Sequence, residues 1–317
     1  MAEICAACGG ERLELHLRVA GDAGPDGLIP NTDRFGTALA DIARCRDCGH
    51  MQLERFPPEE DLSEAYAEAE SSAYVEEEAG QRATANAILD EIEAHVGPGS
   101  LLDLGSWVGF FLAEAGARGW VAVGVEPSLY ASRFARERLG LDVRQAGLFD
   151  AVLEEAPFDA VFMGDVIEHL PRAGDALDRI AELLSPDGVL ALALPNAGST
   201  LARRMGRRWW SVIPTHVHYF TPNSIRTMLS RHGYEVVRIT TAPKTFTVGY
   251  YLGRLTGYET ALGRGAVAAA RAVGVGEKLW TPDFRDRMLV LARKTPARSS
   301  ASRPVSPGGD ALREGRS

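Results

Sequence analysis

Short apolar runs alternate with amphipathic helical segments along the middle of the chain, and this alternation limits the fold more than any other feature. The runs are 101–105 (LLDLG), 120–125 (WVAVGV), 158–163 (FDAVFM) and 189–194 (VLALAL), and the helical segments between them include 128–139 and 173–184. Runs that are apolar on both faces are typical of parallel strands covered by helices on each side. The chain is therefore predicted to fold as an α/β protein around one wound sheet.

Composition divides the 317 residues into five parts. Residues 1–57 carry all four cysteines, 58–99 are rich in Ala and Glu and predict leading helices, and 100–243 with 281–295 hold the sheet. Residues 244–280 are predicted to form a helical insertion. The sequence leaves four roles open for it: capping the site, touching a membrane, packing on the sheet or making a dimer contact. The tail, 296–317, has almost no large apolar residues and is predicted to be disordered.

Charge and composition argue against several classes of protein. Lys and Arg number 34 against 43 Asp and Glu, a net charge of -9, which disfavours a protein that binds nucleic acid by neutralising many phosphates. No apolar run approaches the roughly 20 residues that span a bilayer, and the N terminus lacks a basic segment followed by an apolar one. A cytoplasmic location without stable membrane insertion is therefore expected.

The stretch LLDLGSWVGF, residues 101–110, ends a predicted strand in a tight turn at the start of a helix. Backbone amides and the positive end of the helix dipole meet there, so an anion or a closely packed cofactor can bind. The dinucleotide pattern G-x-G-x-x-G fails because Trp107 replaces its second glycine, and the phosphate-loop pattern fails as well. What remains is D-x-G-x-x-x-G, formed by Asp103, Gly105 and Gly109.

Polar residues follow two further strands of the same predicted sheet. Glu126 lies 21 residues after Gly105 at the end of the next strand. Its carboxylate can there accept hydrogen bonds from both ribose hydroxyls of an adenosyl ligand. The stretch GDVIEHL, 164–170, brings more polar side chains to the same edge.

These motifs resemble, in their order and spacing, those of the class I S-adenosylmethionine-dependent methyltransferases, especially a broad bacterial group. Besides the glycine turn and Glu126, they are DVIEHL (165–170), LLSPDGVLALALPN (183–196) and HVHYFTPNSI (216–225). The resemblance covers about residues 60–242 and the last strand, 287–294. It implies a Rossmann-like seven-stranded sheet in the order 3-2-1-4-5-7-6, with the last strand antiparallel, and S-adenosyl-L-methionine as cofactor.

The resemblance also implies which residues contact the cofactor. They are Tyr66, Tyr74, Asp103, Gly105, Gly109, Glu126, Gly147, Leu148 and Asp165. The glycine turn would shape the methionine side, Glu126 would hold the ribose, and Gly147 and Leu148 would lie near adenine. The two tyrosines would close over the cofactor, with helix-face packing as the alternative. Trp107 departs from the family, where glycine or a small residue is usual.

Three of the seven histidines lie where a proton acceptor for methyl transfer is expected. A hydroxyl or an acidic carbon must lose a proton, and histidine has a pKa near the working pH. The candidates are His169 in IEHL and the pair His216 and His218 in THVHYF, which share a face if that stretch is extended. For His169 a structural role bonded to backbone is the alternative, and the H-V-H pair has no evident third metal ligand.

A basic run of Arg203, Arg204, Arg207 and Arg208 precedes two tryptophans. One interpretation is binding of a phosphate-bearing acceptor such as a nucleotide-linked sugar, because arginine pairs bidentately with phosphate. The alternative is a solvated loop with packed aromatic residues.

The four cysteines form two C-x-x-C-G pairs, Cys5 with Cys8 and Cys45 with Cys48, with 36 residues between the pairs. Two such pairs can bind one Zn²⁺ through four thiolates, and a site of four cysteines has no open position, so a structural zinc is predicted. A redox dithiol is the alternative. Similar pairs precede the catalytic domain in sugar C-methyltransferases.

Three hypotheses for function follow. The first is a methyltransferase with a zinc-ribbon-like module that methylates an oxygen of a small-molecule, sugar or natural-product acceptor, using a histidine base. The second is an RNA methyltransferase whose zinc module binds RNA, and the third is a non-catalytic module whose pocket is closed by Trp107. A homodimer is compatible with each of them.

Overall fold

A computed structural model of the chain describes residues 4–21, 35–67, 75–255 and 274–295. The tail predicted to be disordered, half of the insertion and the loop 22–34 lie outside these ranges. None of the helices within them combines the length and the apolar character needed to cross a bilayer.

Helices and strands alternate through the middle of the chain, as the sequence predicts. The strands are β1 Leu13–Leu17, β2 Ile42–Cys45, β3 Met51–Leu53, β4 Ser100–Leu104, β5 Val121–Val125, β6 Val143–Arg144, β7 Phe158–Gly164, β8 Leu184–Pro195, β9 His218–Tyr219, β10 Tyr234–Thr241, β11 Phe246–Thr247, β12 Leu279–Trp280 and β13 Arg287–Lys294. The helices are α1 Glu59–Ala67, α2 Glu78–Glu93, α3 Phe110–Ala117, α4 Leu129–Leu139, α5 Ala173–Leu183, α6 Thr200–Met205, α7 Pro222–Arg231 and α8 Val248–Leu255. Short 3₁₀ turns lie at Ile167–His169 and Gly206–Arg208.

The main sheet has seven strands in the spatial order β10-β13-β8-β7-β4-β5-β6. Strands β4 to β8 are mutually parallel, whereas β13 is antiparallel to both β8 and β10. Both faces of the central strands are covered: Leu101 packs with residues of α2 and α3, and its neighbour Leu102 packs with residues of α5 and α7. The mixed α/β fold with a mostly parallel seven-stranded sheet is thus confirmed.

Helix ends near the edge of the sheet follow from local sequence. Ser128 caps α4 by accepting a hydrogen bond from the Ala131 N–H at 3.1 Å, and Gly140 ends the helix with φ 66°. Thr221 and Ser224 form a reciprocal capping box at the start of α7. The first cap fixes the start of the helix that follows β5, and the second fixes the start of the helix that follows β9.

A second sheet joins the N-terminal part of the chain to the main domain. Its order is β1-β2-β3-β9, and β9 is supplied by the segment that follows β8. Met51 pairs with Tyr219 and Gln52 with His218. The Asn223 side-chain N–H donates to the Cys48 carbonyl at 2.8 Å. The cysteine-bearing part, which the sequence presents as a separate module, is therefore completed by a strand from the main domain.

Candidate functional site

The carboxyl ends of the central parallel strands open into a cavity of about 610 Å³. This is the edge where ligands bind in open α/β sheets, and the volume falls in the range of roughly 300–1,000 Å³ that is usual for small-molecule sites. The walls come from the glycine turn at 105–109, from segments 145–150 and 162–166, from α1 and α2, and from the start of the insertion.

The glycine turn needs its glycines for both space and backbone conformation. Gly105 and Gly109 have φ values of 75° and 87°, and a Cβ at Gly105 would lie 2.4 Å from Val166 Cγ2. Trp107 also adopts a left-handed conformation, with φ 48°, which explains why glycine is usual at this position. Its side chain is part of the cavity wall.

Glu126 is held by the backbone at the base of this turn. Its two carboxylate oxygens accept hydrogen bonds from the N–H groups of Trp107 and Ser128, each at 2.8 Å. Burial raises the pKa of Glu126 to about 7, although both N–H groups act to lower it. Each oxygen keeps a further lone pair, so two hydroxyl groups of a ligand can still donate to this carboxylate.

Asp103 and Ser106 present unsatisfied acceptors in the same wall. Asp103 is 2 % exposed, and neither its Oδ2 atom nor Ser106 Oγ has a hydrogen-bond partner among the described residues. Burial, reinforced by the nearby charge of Glu126, holds the pKa of Asp103 well above its usual range. Because an unpartnered buried polar group is costly, these atoms fit a ligand that brings a donor or a positive charge.

Asp165 lies at the end of β7 between two basic residues that the sequence analysis missed. Its carboxylate is 2.6 Å from Lys244 Nζ and 2.7 Å from Arg287 Nη2. Burial acts to raise the pKa of Asp165, but the two positive charges outweigh it and hold the pKa well below the usual range. An antiparallel last strand must begin at the edge where the parallel strands end, so the place of Arg287 was accessible to sequence reasoning.

His169 is the one of the three candidate histidines that lines the cavity. Its Nδ1 atom lies 3.0 Å from the Thr215 carbonyl oxygen, and the Tyr66 hydroxyl hydrogen-bonds to the same nitrogen. Burial lowers the pKa of His169 to about 4, so the ring is neutral near pH 7. His216 packs edge-on against it, with ring centroids 4.5 Å apart.

His218 lies elsewhere, between the two sheets. Its Nε2 atom is 3.1 Å from the Leu170 carbonyl oxygen and its Nδ1 atom is 3.2 Å from His50 Nε2. The alternation in THVHYF therefore does not give His216 and His218 a shared environment. Backbone and His50 occupy both nitrogens of His218, and the ring is outside the cavity lining.

The remaining candidate residues divide between the cavity and the surface. Tyr66, Gly147 and Leu148 line the cavity, and Tyr74 lies outside the described residues. The described part of the insertion contributes Phe246 to the wall. The arginines of the basic run are exposed and do not line the cavity: Arg203, Arg204, Arg207 and Arg208.

The four cysteines converge, with all four Sγ atoms within 4.8 Å of one another. The Sγ atoms of Cys5 and Cys48, and those of Cys8 and Cys45, are 3.6 Å apart. A tetrahedral zinc with Zn–S bonds of about 2.3 Å implies sulfur separations of about 3.8 Å. Backbone N–H groups also point at two of the sulfurs, from Gly10 to Cys8 and from Asp47 to Cys45, both at 3.4 Å. The donor set therefore fits a zinc ion.

Comparison with known proteins identifies the family to which this chain is related. A family model described as a methyltransferase domain matches residues 76–239. The chain is 26% identical over 231 residues to the C-methyltransferase NovU of Streptomyces niveus, covering 70% of this chain and 50% of that protein. It is 28% identical over 151 residues to the ubiquinone biosynthesis O-methyltransferase of Nitrobacter winogradskyi, covering 43% of this chain and 56% of that protein. It thus spans about half the length of these relatives.

Solved structures show the same fold. A chain in the complex between the Haloferax volcanii Trm112 methyltransferase activator and a putative methyltransferase matches with a TM-score of 0.50 at 16% identity, covering 69% of this chain and 91% of that chain. The glycine turn, the backbone-held Glu126 and the cavity at the strand ends agree with the family match. The chain therefore belongs to the class I S-adenosylmethionine-dependent methyltransferases.

Proposed function

We propose that this protein transfers a methyl group from S-adenosylmethionine to an oxygen of a small-molecule, sugar or natural-product acceptor. The observation that carries the proposal is that a single cavity has the glycine turn and Glu126 at one part of its wall and His169 at another. The proposed cofactor site and the proposed proton acceptor would thus share one cavity. Relatives that include an O-methyltransferase of ubiquinone biosynthesis support a small-molecule acceptor.

The chain's own residues would orient the cofactor. Glu126 would accept hydrogen bonds from two ribose hydroxyls, and the unpartnered Asp103 would accept from the ammonium group of the methionine part. When bound, the cofactor supplies a methyl group on a sulfonium, which is a good leaving group. What is left for the protein is to align the acceptor and to exclude water. Tyr66 and the start of the insertion also line the cavity and would help to exclude water.

Binding of the cofactor should depend on pH through Glu126. The pKa of about 7 in the unliganded protein means that the carboxyl is largely protonated at pH 6 and ionised at pH 8. Hydroxyl donors favour the ionised form, so affinity should be full above pH 7 and weaken as pH falls. We expect Kd for S-adenosylhomocysteine, measured by calorimetry, to be about tenfold higher at pH 6 than at pH 8. A Glu126→Gln variant should flatten this dependence, and an equally steep profile in that variant would assign the titration to another group.

His169 is proposed to receive the proton of the acceptor hydroxyl. Its Nδ1 atom faces the Thr215 carbonyl, so Nε2 carries the lone pair of the neutral ring. His169→Asn keeps an N–H donor for that carbonyl and removes the acceptor. We expect kcat to fall by about 10²- to 10⁴-fold, with affinity for S-adenosylhomocysteine changed little.

The assay for that prediction is transfer of a labelled methyl group to a panel of hydroxyl-bearing acceptors, with calorimetry alongside. His232→Gln is the matched control, because His232 pairs with Asp178 on a helix surface away from the cavity. Full turnover by His169→Asn would remove this imidazole from the mechanism. Failure of the unmodified protein to bind S-adenosylhomocysteine would refute the proposed function itself.

We also propose that the cysteine cluster binds one structural Zn²⁺. The convergence of four sulfurs and the two N–H groups directed at them support this. With four cysteine ligands such an ion has no open position, so its role would lie in folding and not in methyl transfer.

A further inference from the structure

A second group of possible metal ligands lies beside the acceptor end of the cavity. It consists of Glu168, His169 and His216, and one ligand atom from each lies within 4.8 Å of one from each of the others. The three side chains come from two segments that the fold brings together, the 3₁₀ turn after β7 and the segment before β9. Backbone pairing holds these segments in register, since the Val217 N–H donates to the Glu168 carbonyl at 2.9 Å.

Both histidines have the orientation that metal ligands require. His169 Nδ1 faces the Thr215 carbonyl at 3.0 Å, and His216 Nδ1 faces the Ser211 carbonyl at 2.8 Å. The two carbonyl oxygens can only accept, so we assign the proton to Nδ1 in each ring, which leaves the lone pair on Nε2. The Tyr66 hydroxyl, which contacts Nδ1 of His169 as well, then accepts from the same N–H. Metal-binding histidines are commonly fixed in this way, with the second nitrogen donating to a carbonyl or carboxylate.

Glu168 provides an observation that is independent of the histidines. Its side chain is 1 % exposed, and neither carboxylate oxygen has a hydrogen-bond partner among the described residues. Lys244 and Arg287 form their ion pairs with Asp165. The positive charges of Arg287 and Lys244 act on Glu168 only without a hydrogen bond. A buried carboxyl group that lacks hydrogen-bond partners is costly, and a cation bound between it and the two imidazoles would offset that cost.

We infer that Glu168, His169 and His216 bind one divalent first-row transition-metal cation, such as Mn²⁺, Fe²⁺ or Zn²⁺. Two imidazoles and one carboxylate suit these ions and occupy only three coordination positions. His169 lines the cavity, so the remaining positions face the space in which an acceptor would lie. The substrate class that fits is an acceptor with an oxygen that can coordinate the cation, in particular one with two adjacent oxygens.

This inference rests on the proposed function and deepens one part of it. With a cation bound, Nε2 of His169 is a ligand and no longer takes the proton. The cation instead lowers the pKa of a coordinated hydroxyl, as it does for metal-bound water, so that the hydroxyl gives its proton to water, its oxygen takes the methyl group and S-adenosylhomocysteine leaves. Methyl transfer would then require the cation as well as the fold. Without the cation, His169 would act directly on the hydroxyl.

The test uses Mn²⁺, because thiolates are poor ligands for this ion and the cysteine cluster should not compete. The full chain is titrated with Mn²⁺ and free ion is followed by electron paramagnetic resonance, with zinc content measured in every sample. Glu168→Gln keeps the side-chain volume and removes the charge. His216→Asn keeps an N–H donor for the Ser211 carbonyl and removes Nε2. Asp178→Asn is the control, because it alters a His–carboxylate pair that belongs to no three-ligand group among the described residues.

We expect one Mn²⁺ per chain, at least about tenfold weaker binding in Glu168→Gln and in His216→Asn, and unchanged binding in Asp178→Asn. Stoichiometry of zero, or equal affinity in all four proteins, would overturn the metal site. Calorimetry with S-adenosylhomocysteine on the same samples separates the two proposals. Cofactor binding without Mn²⁺ binding refutes only the metal site, whereas Mn²⁺ binding without cofactor binding refutes only the proposed methyl transfer. Binding of S-adenosylhomocysteine by a variant also shows that the variant is folded.

Discussion

Cys5→Ser is expected to abolish binding of the proposed zinc ion at the cysteine cluster and to destabilise the four-stranded sheet. Binding of a structural zinc contributes directly to folding, about 10–16 kcal/mol in zinc-finger peptides. We therefore expect Tm to fall by about 10 °C or more, together with loss of zinc by elemental analysis. Because β9 belongs to this sheet, hydrogen exchange should accelerate in residues 215–220 as well as in β2 and β3.

A chelator separates the role of the metal from the packing of the buried Cys5 side chain. It should lower the Tm of the unmodified protein by a similar amount and should have no further effect on Cys5→Ser. Arg12→Ala is the control within the same module, because it breaks only an exposed ion pair with Asp47 and should change Tm little. If the unmodified protein had the same Tm with and without zinc, that result would contradict the structural role of the metal.

Glu126→Ala is expected to weaken cofactor binding by at least about a hundredfold. Hydrogen bonds to a charged group contribute about 1.5–3 kcal/mol each, and this carboxylate is proposed to accept two from the ribose. The substitution also removes the carboxylate that accepts from the N–H groups of Trp107 and Ser128, which should loosen the glycine turn. Calorimetry with S-adenosylmethionine and S-adenosylhomocysteine measures the effect.

The control for this prediction is Glu137→Ala, which removes an exposed acid paired with Arg133 on the outer face of α4. Its affinity should match that of the unmodified protein. Thermal unfolding of both variants shows whether the loss reflects the site or the fold. If Glu126→Ala bound the cofactor as tightly as Glu137→Ala, the ribose would have to be held elsewhere.

Sequence reasoning reached the parts of the site that follow directly from strands. Glu126 and Asp165 each come just after an apolar run, and the ends of neighbouring parallel strands necessarily share an edge. The glycine pattern identified Gly105 and Gly109, because the turn that they form directly follows a predicted strand. Family resemblance added Gly147 and Leu148, which line the cavity.

Sequence reasoning did not predict the contacts between residues that are far apart along the chain. Lys244 pairs with Asp165 from 79 positions away, and Glu168 meets His216 across 48 positions. His216 and His218 are two residues apart, yet one contacts His169 and the other His50. Spacing along the chain carries no information on such contacts.

The sequence by itself determined the α/β class and the cofactor edge of the sheet, because apolar periodicity decides which segments are strands and chain direction decides where they end. It also predicted that the four cysteines of the two C-x-x-C-G motifs come together, whereas the structure shows that the 3.6 Å Sγ–Sγ contacts join one motif to the other. The tertiary structure alone decided that β9 completes the cysteine-bearing sheet. It also decided that Glu168 is buried beside two histidines with no hydrogen-bond partner among the described residues. Both arrangements depend on packing between segments that are distant along the chain, and the local sequence of one segment does not specify which other segment it contacts.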